Sequence, residues 1–542
     1  MSIFSRFALI AGLALAFGGP VAAQVADWPT YGHDAQHSGI SAAPAGDLGT
    51  IRWQTPVDLN PQYSGNDLLI HYGSPLVTAG NTVIVPVKTG AADGFQVEAL
   101  SGATGQLLWT QPTAYTRPPL ANNVWTPSYG PTIATGGRLY YPDAGGTLLY
   151  RSDLDAGGAV TPTRVALSPN YAGNEAAFNQ NVFVNTPLTA DAAGNVYFGF
   201  QVSNPSAVGG LQSGVARIDP AGNVVTVPVA TAANDGAINK VVQNCAPAVS
   251  PDGSTVYVAV STASTSGGTG TGYLLALNSA TLTTVNKVAL MDVQTPTNSA
   301  RLPDSGTASP TVGPNGDVYF GVLENPNATY RGWLLHFNAA LTQSKTPASF
   351  GWDDTASIVP RSMVPSYTGT SPYLILTKYN NYAGGGGDGV NKLAILDPND
   401  TQIDPRTGAT VMKEVLTIAG VTPDPEFIAT HPNAVREWCI NAAAVDPADG
   451  IVLANSEDGK LYRWDLATNT FTQSITLTSG IGEAYTPTLI GPDGTVYAIN
   501  DGTLFAVAVP EPSGLWLLAA GLGGLAAVRR RGVRGRERES ID

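Results

Sequence analysis

Cysteine and histidine are scarce in this chain, which has two cysteines and five histidines among 542 residues. Cys245 and Cys439 are far apart, so there is no adjacent Cys-Cys pair and no Cys-x-x-Cys-His haem motif. No His/Cys spacing typical of a zinc site occurs, and no serine stands in a nucleophile-elbow motif. The common signatures of a zinc enzyme, a haem protein and a serine hydrolase are therefore absent.

Charge is also low, at 13% of all residues, and no long apolar-helix or heptad pattern runs through the chain. Apolar residues make up 43%, which excludes a disordered chain. Glycine (61) and proline (40) are abundant instead. A globular composition rich in turn residues favours an all-β fold.

A strand–turn–strand unit recurs along the chain, with Pro-Asp-Gly-type turns between short segments of β-branched and aromatic residues. A diverged copy begins near Val364, with residues 372–378 as its strong strand. The clearer copies are residues 74–87, 130–142, 186–200, 246–260, 309–322, 441–456 and 486–499. Eight units at this spacing predict a β-propeller of four-stranded blades, and the irregular sixth unit leaves seven blades as the alternative.

The two ends of the repeat array predict how the ring closes. The eighth unit supplies only three strands before residue 510, whereas residues 51–57 form a strand without a blade of their own. We therefore expect residues 51–57 to be the outer strand of the last blade, which would remove an exposed sheet edge.

Both chain termini have the character of processing signals. Residues 1–23 combine Arg6, an apolar run and a small-residue cleavage site, which predicts a secretory signal peptide. At the other end, Pro510, Glu511 and Pro512 precede an apolar segment, a predicted transmembrane helix, and the basic residues Arg529, Arg530 and Arg531. This combination resembles the PEP-CTERM sorting signal of Gram-negative bacteria, which implies transient inner-membrane anchoring and processing by an exosortase. The basic cluster is expected to stay cytoplasmic.

Without these ends, the body at residues 24–509 has 37 acidic and 20 basic residues. An acidic exported body argues against nucleic acid as a partner.

The start of this body carries a second resemblance. The string DWPTYGHDAQHSG at residues 27–39, and a Thr-Gly turn that leads to Trp109, resemble PQQ-like β-propeller repeats. The resemblance implies a mainly structural role for the first string, including His33 and His37. Quinoprotein dehydrogenases of this fold carry an adjacent Cys-Cys pair, which this chain lacks. We therefore predict no bound cofactor, with PQQ and calcium left as the alternative.

In a propeller, the segments that lead into the inner strands converge on the axis at one face. These segments are polar and aromatic here, and they predict a ligand site at the channel mouth. The candidate residues are His71, Trp125, Glu175, Lys240, Arg301, Arg361, Arg436, Glu437 and Glu483. The alternative is that these side chains pair with one another and plug the channel.

Three further features leave alternatives open. Cys245 and Cys439 both precede inner strands, so they either form a disulfide or are separate buried thiols. Residues 397–404 and 384–389 either hold calcium or are an exposed acidic turn and a flexible loop.

The sequence predicts an exported, exosortase-sorted propeller that acts as a non-catalytic binding or scaffold protein at the cell surface or in the extracellular matrix. Its partner would be an unidentified protein or polysaccharide. The alternative is a periplasmic or extracellular enzyme that uses the channel mouth, with a quinoprotein dehydrogenase as the nearest precedent.

Overall fold

The computed structural model describes residues 28–508, except 65–66, 69–72, 92, 120–128, 263–268, 440–441 and 480–484. The predicted signal peptide and the predicted sorting signal with its hydrophobic helix lie outside these residues. Among the helices of the described part, none is long and apolar enough to span a bilayer.

The described chain forms eight antiparallel blades around one axis, which confirms the predicted β-propeller. Blades 1 to 4 each have four strand positions, numbered from the axis outward. Their strands are Leu76–Val77, Thr82–Lys88, Phe95–Ser101 and Leu107–Pro112 in blade 1; Thr132–Ala134, Arg138–Pro142, Leu148–Arg151 and Thr163–Val165 in blade 2; Val182–Val184 with Thr189–Ala190, Val196–Val202, Gly214–Ile218 and Val224–Pro228 in blade 3; and Ile238–Val241 with Ala248–Val249, Thr255–Thr262, Gly272–Asn278 and Thr284–Ala289 in blade 4.

Blades 5 to 8 complete the ring. Their strands are Thr311–Val312, Val318–Val322 and Trp333–Phe337 in blade 5; Ser357–Pro360, Tyr373–Tyr379, Lys392–Ile403 and Thr410–Ala419 in blade 6; Ala444–Asp446, Ile451–Asn455, Lys460–Asp465 and Thr470–Thr476 in blade 7; and Leu489–Ile490, Val496–Asn500, Thr503–Ala508 and Thr50–Pro56 in blade 8.

Short elements lie outside the blades. Two small hairpins pair Tyr63–Ser64 with Asp67–Leu68 and Thr269–Gly270 with Leu302–Pro303. The helices are the α-helices Glu175–Asn181 and Val229–Ala233 and the 3-10 turns Ala144–Gly146, Pro205–Val208, Arg361–Met363 and Ala383–Gly385.

Closure of the ring follows the prediction with a shift of one residue. Thr50–Pro56 pairs antiparallel with Thr503–Ala508 and becomes the outer strand of blade 8. Its Trp53 donates a hydrogen bond of 2.8 Å from Nε1 to the carbonyl of Gly102, in the Thr-Gly turn of blade 1. The same strand therefore finishes the last blade and docks it against the first.

Blade 5 departs from the four-stranded pattern. Its outer position has only two isolated bridges, at Ser344 and Ala348. Pro347 lies between them and has no N–H to donate, which prevents a continuous ladder. The long outer hairpin of blade 6 covers this edge, since the Met412 N–H donates to the Pro347 carbonyl at 2.8 Å.

Blade 6 also differs from its predicted register. Its inner strand is Ser357–Pro360, before the predicted start near Val364, and Val364 is buried in the connection that follows. The proline-anchored pattern of the other units is missing here, so the sequence pattern placed the inner strand too late.

Residues 28–46, which we call the belt, run along the inner strands, and some of them line a recess of about 1190 Å³. The belt passes the eight inner strands in order and bonds to each blade in turn. The bonds are Trp28 to Val77, Pro29 to Ile133, Thr30 to Leu188, Ala35 to Val249, Gln36 to Val312, Ser38 to Ile358, Gly39 and Ser41 to Val445, and Gly46 to Gly494. Apart from the Thr30 hydroxyl, all of these bonds join backbone groups, with N–O distances of 2.7–3.1 Å.

Two residues of the belt, Gly39 and His37, occupy positions where other residues would fit poorly. Gly39 has a φ of +70°, and a Cβ there would lie 2.7 Å from the Ala443 carbonyl. His37 is fully buried, and burial lowers the pKa of its imidazole to about 4. Its Nδ1 donates to the Pro310 carbonyl at 2.7 Å, and its neutral Nε2 accepts from the Thr189 hydroxyl at 3.4 Å. Both features are structural, as the resemblance implied.

Candidate functional site

The mouth face is the end of the ring at which the chain runs into the inner strands. On the side of blades 5 to 8 it carries a cleft of about 290 Å³. The cleft is lined by Tyr330, Trp352, Asp353, Lys378, Tyr382, Gly384, Gly385, Phe427, Glu437, Cys439 and Tyr485. Aromatic rings therefore form much of its wall, with a few charged groups among them, which is typical of a small-molecule site.

Lys378 is the one basic residue among the described residues of this lining. It is the next-to-last residue of the second strand of blade 6 and is 2% exposed. Its Nζ lies 5.7 Å from the centre of the Tyr485 ring and 5.9 Å from that of Phe350. Among the described residues, none forms a hydrogen bond or an ion pair with this ammonium group. A buried charge without such a partner is costly, so this lysine is an unusual feature of the fold.

Two adjacent acids precede the inner strand of blade 6. Asp353 accepts hydrogen bonds from the backbone N–H and the hydroxyl of Thr307, and burial raises the pKa of its carboxyl. Asp354 accepts from the Thr377 hydroxyl at 2.5 Å. Burial raises the pKa of Asp354 to about 7, although the charge of Lys378 opposes this rise.

A second pair of acids comes from blade 7. Burial and the neighbouring Glu457 raise the pKa of Glu437 to about 8. Burial likewise raises the pKa of Glu457 to about 7, although the Cys439 thiol donates to its Oε2 at 3.2 Å and Arg436 lies 3.4 Å from its Oε1. Perturbed acids of this kind cluster at functional sites in proteins.

Glu437, Cys439 and Glu457 each bring a ligand atom within 4.8 Å of the other two, a spacing that a metal ion could bridge. Protein groups already satisfy two members of this set, since Cys439 and Arg436 both contact Glu457. We assign no ion to it.

The predicted mouth residues divide into three groups. His71, Trp125 and Glu483 lie outside the described residues. Lys240, Arg301 and Arg436 are engaged within the protein: Lys240 forms an ion pair with Asp304, the Arg301 Nε donates to the Glu324 carbonyl at 3.0 Å, and Arg436 lies 3.4–3.7 Å from Asp424, Glu426 and Glu457. Glu437 lines the cleft, and Glu175 is exposed at the start of the helix Glu175–Asn181.

Arg361 does not belong to this group. It follows the inner strand of blade 6 and lies in the turn at the opposite face, where its guanidinium stands 5.6 Å from the Tyr367 ring. The late placement of that inner strand in the sequence pattern explains the difference.

Cys245 and Cys439 are separate buried thiols in the structure, which was the second of the two alternatives. They are not joined in a disulfide, and each is buried beside the inner strand of its own blade, 4 or 7. Residues 422–438 do not bring them together: this segment pairs with itself, through the isolated bridge of Pro423 with Val435.

The acids of residues 397–404 have separate protein partners. Asp397 accepts from the hydroxyls of Tyr367 and Ser371, Asp400 pairs with Lys413 at 2.7 Å, and Asp404 pairs with Arg331 at 3.3 Å. In the loop at 384–389, Asp388 accepts from the Asn381 amide at 2.7 Å.

Four charged residues in or beside the cleft were missed by the sequence analysis. Lys378 lies near the end of a buried, mainly apolar strand, Asp353 and Asp354 form an adjacent acidic pair, and Glu457 lies in a sequence typical of an ordinary turn. A lysine near the end of such a strand is the one signal that could have been found.

Comparison with known proteins identifies the fold but not a family. No protein-family model matches the chain, and no curated protein sequence matches it. Among solved structures, the europium-containing methanol dehydrogenase aligns over 88% of this chain and 90% of its own, with a TM-score of 0.53 and 12% identity. The chain has the propeller fold of that dehydrogenase.

Two further structures align less well. The quinohemoprotein alcohol dehydrogenase ADHIIG of Pseudomonas putida HK5 has a TM-score of 0.49 at 11% identity, over 90% of this chain and 82% of its own. Sqt1 of Saccharomyces cerevisiae has a TM-score of 0.48 at 10% identity, over 86% and 100%. At these identities the likeness concerns the fold alone.

Proposed function

We propose that the protein is an exported β-propeller that binds a partner at its mouth face and does not chemically change it. The observation that carries this proposal is the belt. Residues 28–46 bond to all eight blades and so tie the ring together, and the mouth is a recess on this cross-linked scaffold. A fixed recess on a closed scaffold suits recognition.

The charges around the mouth support the same function. Lys240, Arg301 and Arg436 are each held by acids or carbonyls of the protein. Such internal pairing fixes the shape of this part of the surface.

The cleft does not fit the quinone of the dehydrogenases. Pyrroloquinoline quinone carries three carboxylates, which need several cations or hydrogen-bond donors. Lys378 is the one cation in the described lining, and it is accompanied there by the carboxyl groups of Asp353 and Glu437. We therefore derive no reaction through this cofactor.

The location belongs to the proposal as well. We propose that residues 1–23 direct export and that residues 510–542 anchor the chain in the inner membrane until an exosortase processes it. The acidic body would then face a protein or polysaccharide at the cell surface. The sequence patterns of both ends support this location.

The enzymatic alternative is tested with the purified full chain. It is incubated with pyrroloquinoline quinone and calcium, dialysed, and examined for the absorption of bound quinone and for dye-linked oxidation of methanol and ethanol. A quinoprotein methanol dehydrogenase serves as the positive control. We expect no retained quinone and no dye reduction above the protein-free control. Retained quinone with turnover would overturn the proposed function.

Export is tested by replacing Pro510, Glu511 and Pro512 together with alanine in the native host. We expect the variant to accumulate in the inner-membrane fraction, whereas the parent reaches the cell surface. An identical distribution of the two proteins would contradict the sorting role of the motif.

A further inference from the structure

The cleft beside Lys378 has the properties of a binding site for one particular class of ligand. The Lys378 ammonium group is buried, lines the cleft, and has no hydrogen-bond acceptor among the described residues. Lysine carries three donors and no acceptor. The cleft therefore offers a donor whose partner must come from solvent or from a ligand.

Acceptors surround the same space. The charge of Lys378 acts on Asp353, Asp354 and Glu437, and two of these, Asp353 and Glu437, line the cleft themselves. A negatively charged ligand would meet these carboxyl groups, and a positively charged one would meet the ammonium group. A neutral ligand with several hydroxyl groups suits both, because each hydroxyl can donate to a carboxyl oxygen, whether or not the acid is protonated, and accept from an ammonium.

The walls add a preference for shape. Trp352, Tyr382, Phe427 and Tyr485 line the cleft, and Tyr330 stands at its rim with 49% of its surface exposed. Aromatic faces pack against flat apolar surfaces, such as the C–H face of a pyranose ring. The volume of about 290 Å³ lies at the lower limit for small-molecule sites, which suits one ring better than a longer ligand.

We propose that the Lys378 cleft binds one neutral pyranose residue of a polysaccharide. Lys378 donates to a ring or hydroxyl oxygen, Asp353 and Glu437 accept from neighbouring hydroxyls, and the aromatic wall holds the apolar face of the ring. The inference rests on the proposed binding function, and it specifies the ligand as a sugar.

The test is calorimetric titration of the full chain. The probes are the methyl glycosides of glucose, galactose, mannose and N-acetylglucosamine, with glucuronate and galacturonate as charged counterparts. We expect saturable binding of at least one neutral glycoside, with a Kd of about 1 mM, as is usual for a ligand of this size.

Variants connect the binding to the cleft. We expect Lys378→Met to weaken binding by about tenfold, because it removes the charged donor. Lys413→Met is the matched control and should leave the Kd unchanged, since Lys413 is exposed in the blade 6 hairpin and pairs with Asp400. Tyr330→Ala removes an exposed ring without disturbing the core, and it should weaken binding severalfold even if Lys378→Met fails to fold.

The outcomes separate this inference from the proposed function. Tighter binding of a uronate than of every neutral glycoside would overturn the assignment to neutral sugars. Binding of no glycoside, or equal binding by the parent and Tyr330→Ala, would overturn the sugar site and leave the proposed surface role standing. Quinone-dependent turnover in the earlier experiment would overturn the function on which the inference rests.

Discussion

The two faces of the ring differ in the interactions that stabilise them. At the face opposite the mouth, the belt is held almost entirely by backbone hydrogen bonds to the inner strands. Its buried titratable rings, Tyr31 and His37, are neutral, because burial raises the pKa of the Tyr31 phenol and lowers that of the His37 imidazole. At the mouth, Lys378 and the acids Asp353, Asp354 and Glu457 are buried, and Glu437 is half-buried. Burial raises the pKa values of all four acids.

This difference indicates that the belt serves the stability of the ring, whereas the mouth serves recognition. Backbone hydrogen bonds and neutral side chains close a structure at little electrostatic cost. Buried charges are expensive, and replacing them with apolar groups often stabilises a protein. The belt end therefore has the character of a structural seal, whereas the mouth carries groups that a purely structural ring would not need.

Removal of the belt together with the strand Thr50–Pro56 should have the largest effect on stability. Deleting residues 28–57 removes the bonds to all eight blades and the outer strand of blade 8. We expect loss of the cooperative thermal transition in scanning calorimetry. The matched control ends the chain after residue 509, and its Tm should lie within about 2 °C of the parent value. Equal transitions for the deletion and the parent would contradict the role of the belt and of strand Thr50–Pro56.

A smaller change in the same seal is His37→Ala. It leaves a cavity at the axis and removes the donor to the Pro310 carbonyl. We expect a loss of about 2–4 kcal/mol in the free energy of unfolding, measured by urea denaturation. His431→Ala, at a partly exposed site beside Phe427, is the control and should change this free energy by less than about 0.5 kcal/mol. Similar losses in both variants would show that the axis is not a special site.

The mouth is tested by pH. Burial raises the pKa of Glu437 to about 8, so the folded state holds a proton that the unfolded state has released. The contribution of this carboxyl to stability is complete below about pH 4.5 and is lost as the pH rises through 8. We expect Glu437→Gln to be more stable than the parent by about 1–2 kcal/mol at pH 8.5 and equal to it near pH 4.5, in urea denaturation at both pH values.

His37 gives the opposite slope and serves as the internal comparison. Its lowered pKa means that the unfolded state binds the proton more readily between about pH 4 and 6.5, so its contribution is lost as the pH falls through that window. The acid arm of the stability profile should therefore respond to His37→Ala and the alkaline arm to Glu437→Gln. A single variant that changes both arms equally would contradict the division between the two ends.

The repeat architecture could be predicted from the sequence because it rests on local patterns. Turn residues and β-branched segments mark the first two strands of most blades, and a strand without a blade pointed to the closure by Thr50–Pro56. Blades 5 and 6 show the limit: Pro347 interrupts one outer strand, and the inner strand Ser357–Pro360 lacks the anchor of its neighbours.

The site was less accessible to sequence reasoning. The mouth as a region follows from topology, but which charges pair there depends on contacts between distant residues, such as Lys240 with Asp304 and Arg436 with Glu457. The belt was also missed, because its bonds use backbone groups that every residue possesses. Neither property leaves a trace in local sequence patterns.

The closure of blade 8 has a consequence for the timing of folding. Thr50 and Ala508 are bonded although 458 positions separate them in the chain. Contacts of such high sequence separation slow folding, because the entropy of closing the long loop is lost before the bonds that compensate for it can form. Strand Thr50–Pro56 is synthesised early and must wait for Thr503–Ala508, so the ring is completed only after nearly the whole propeller has been made.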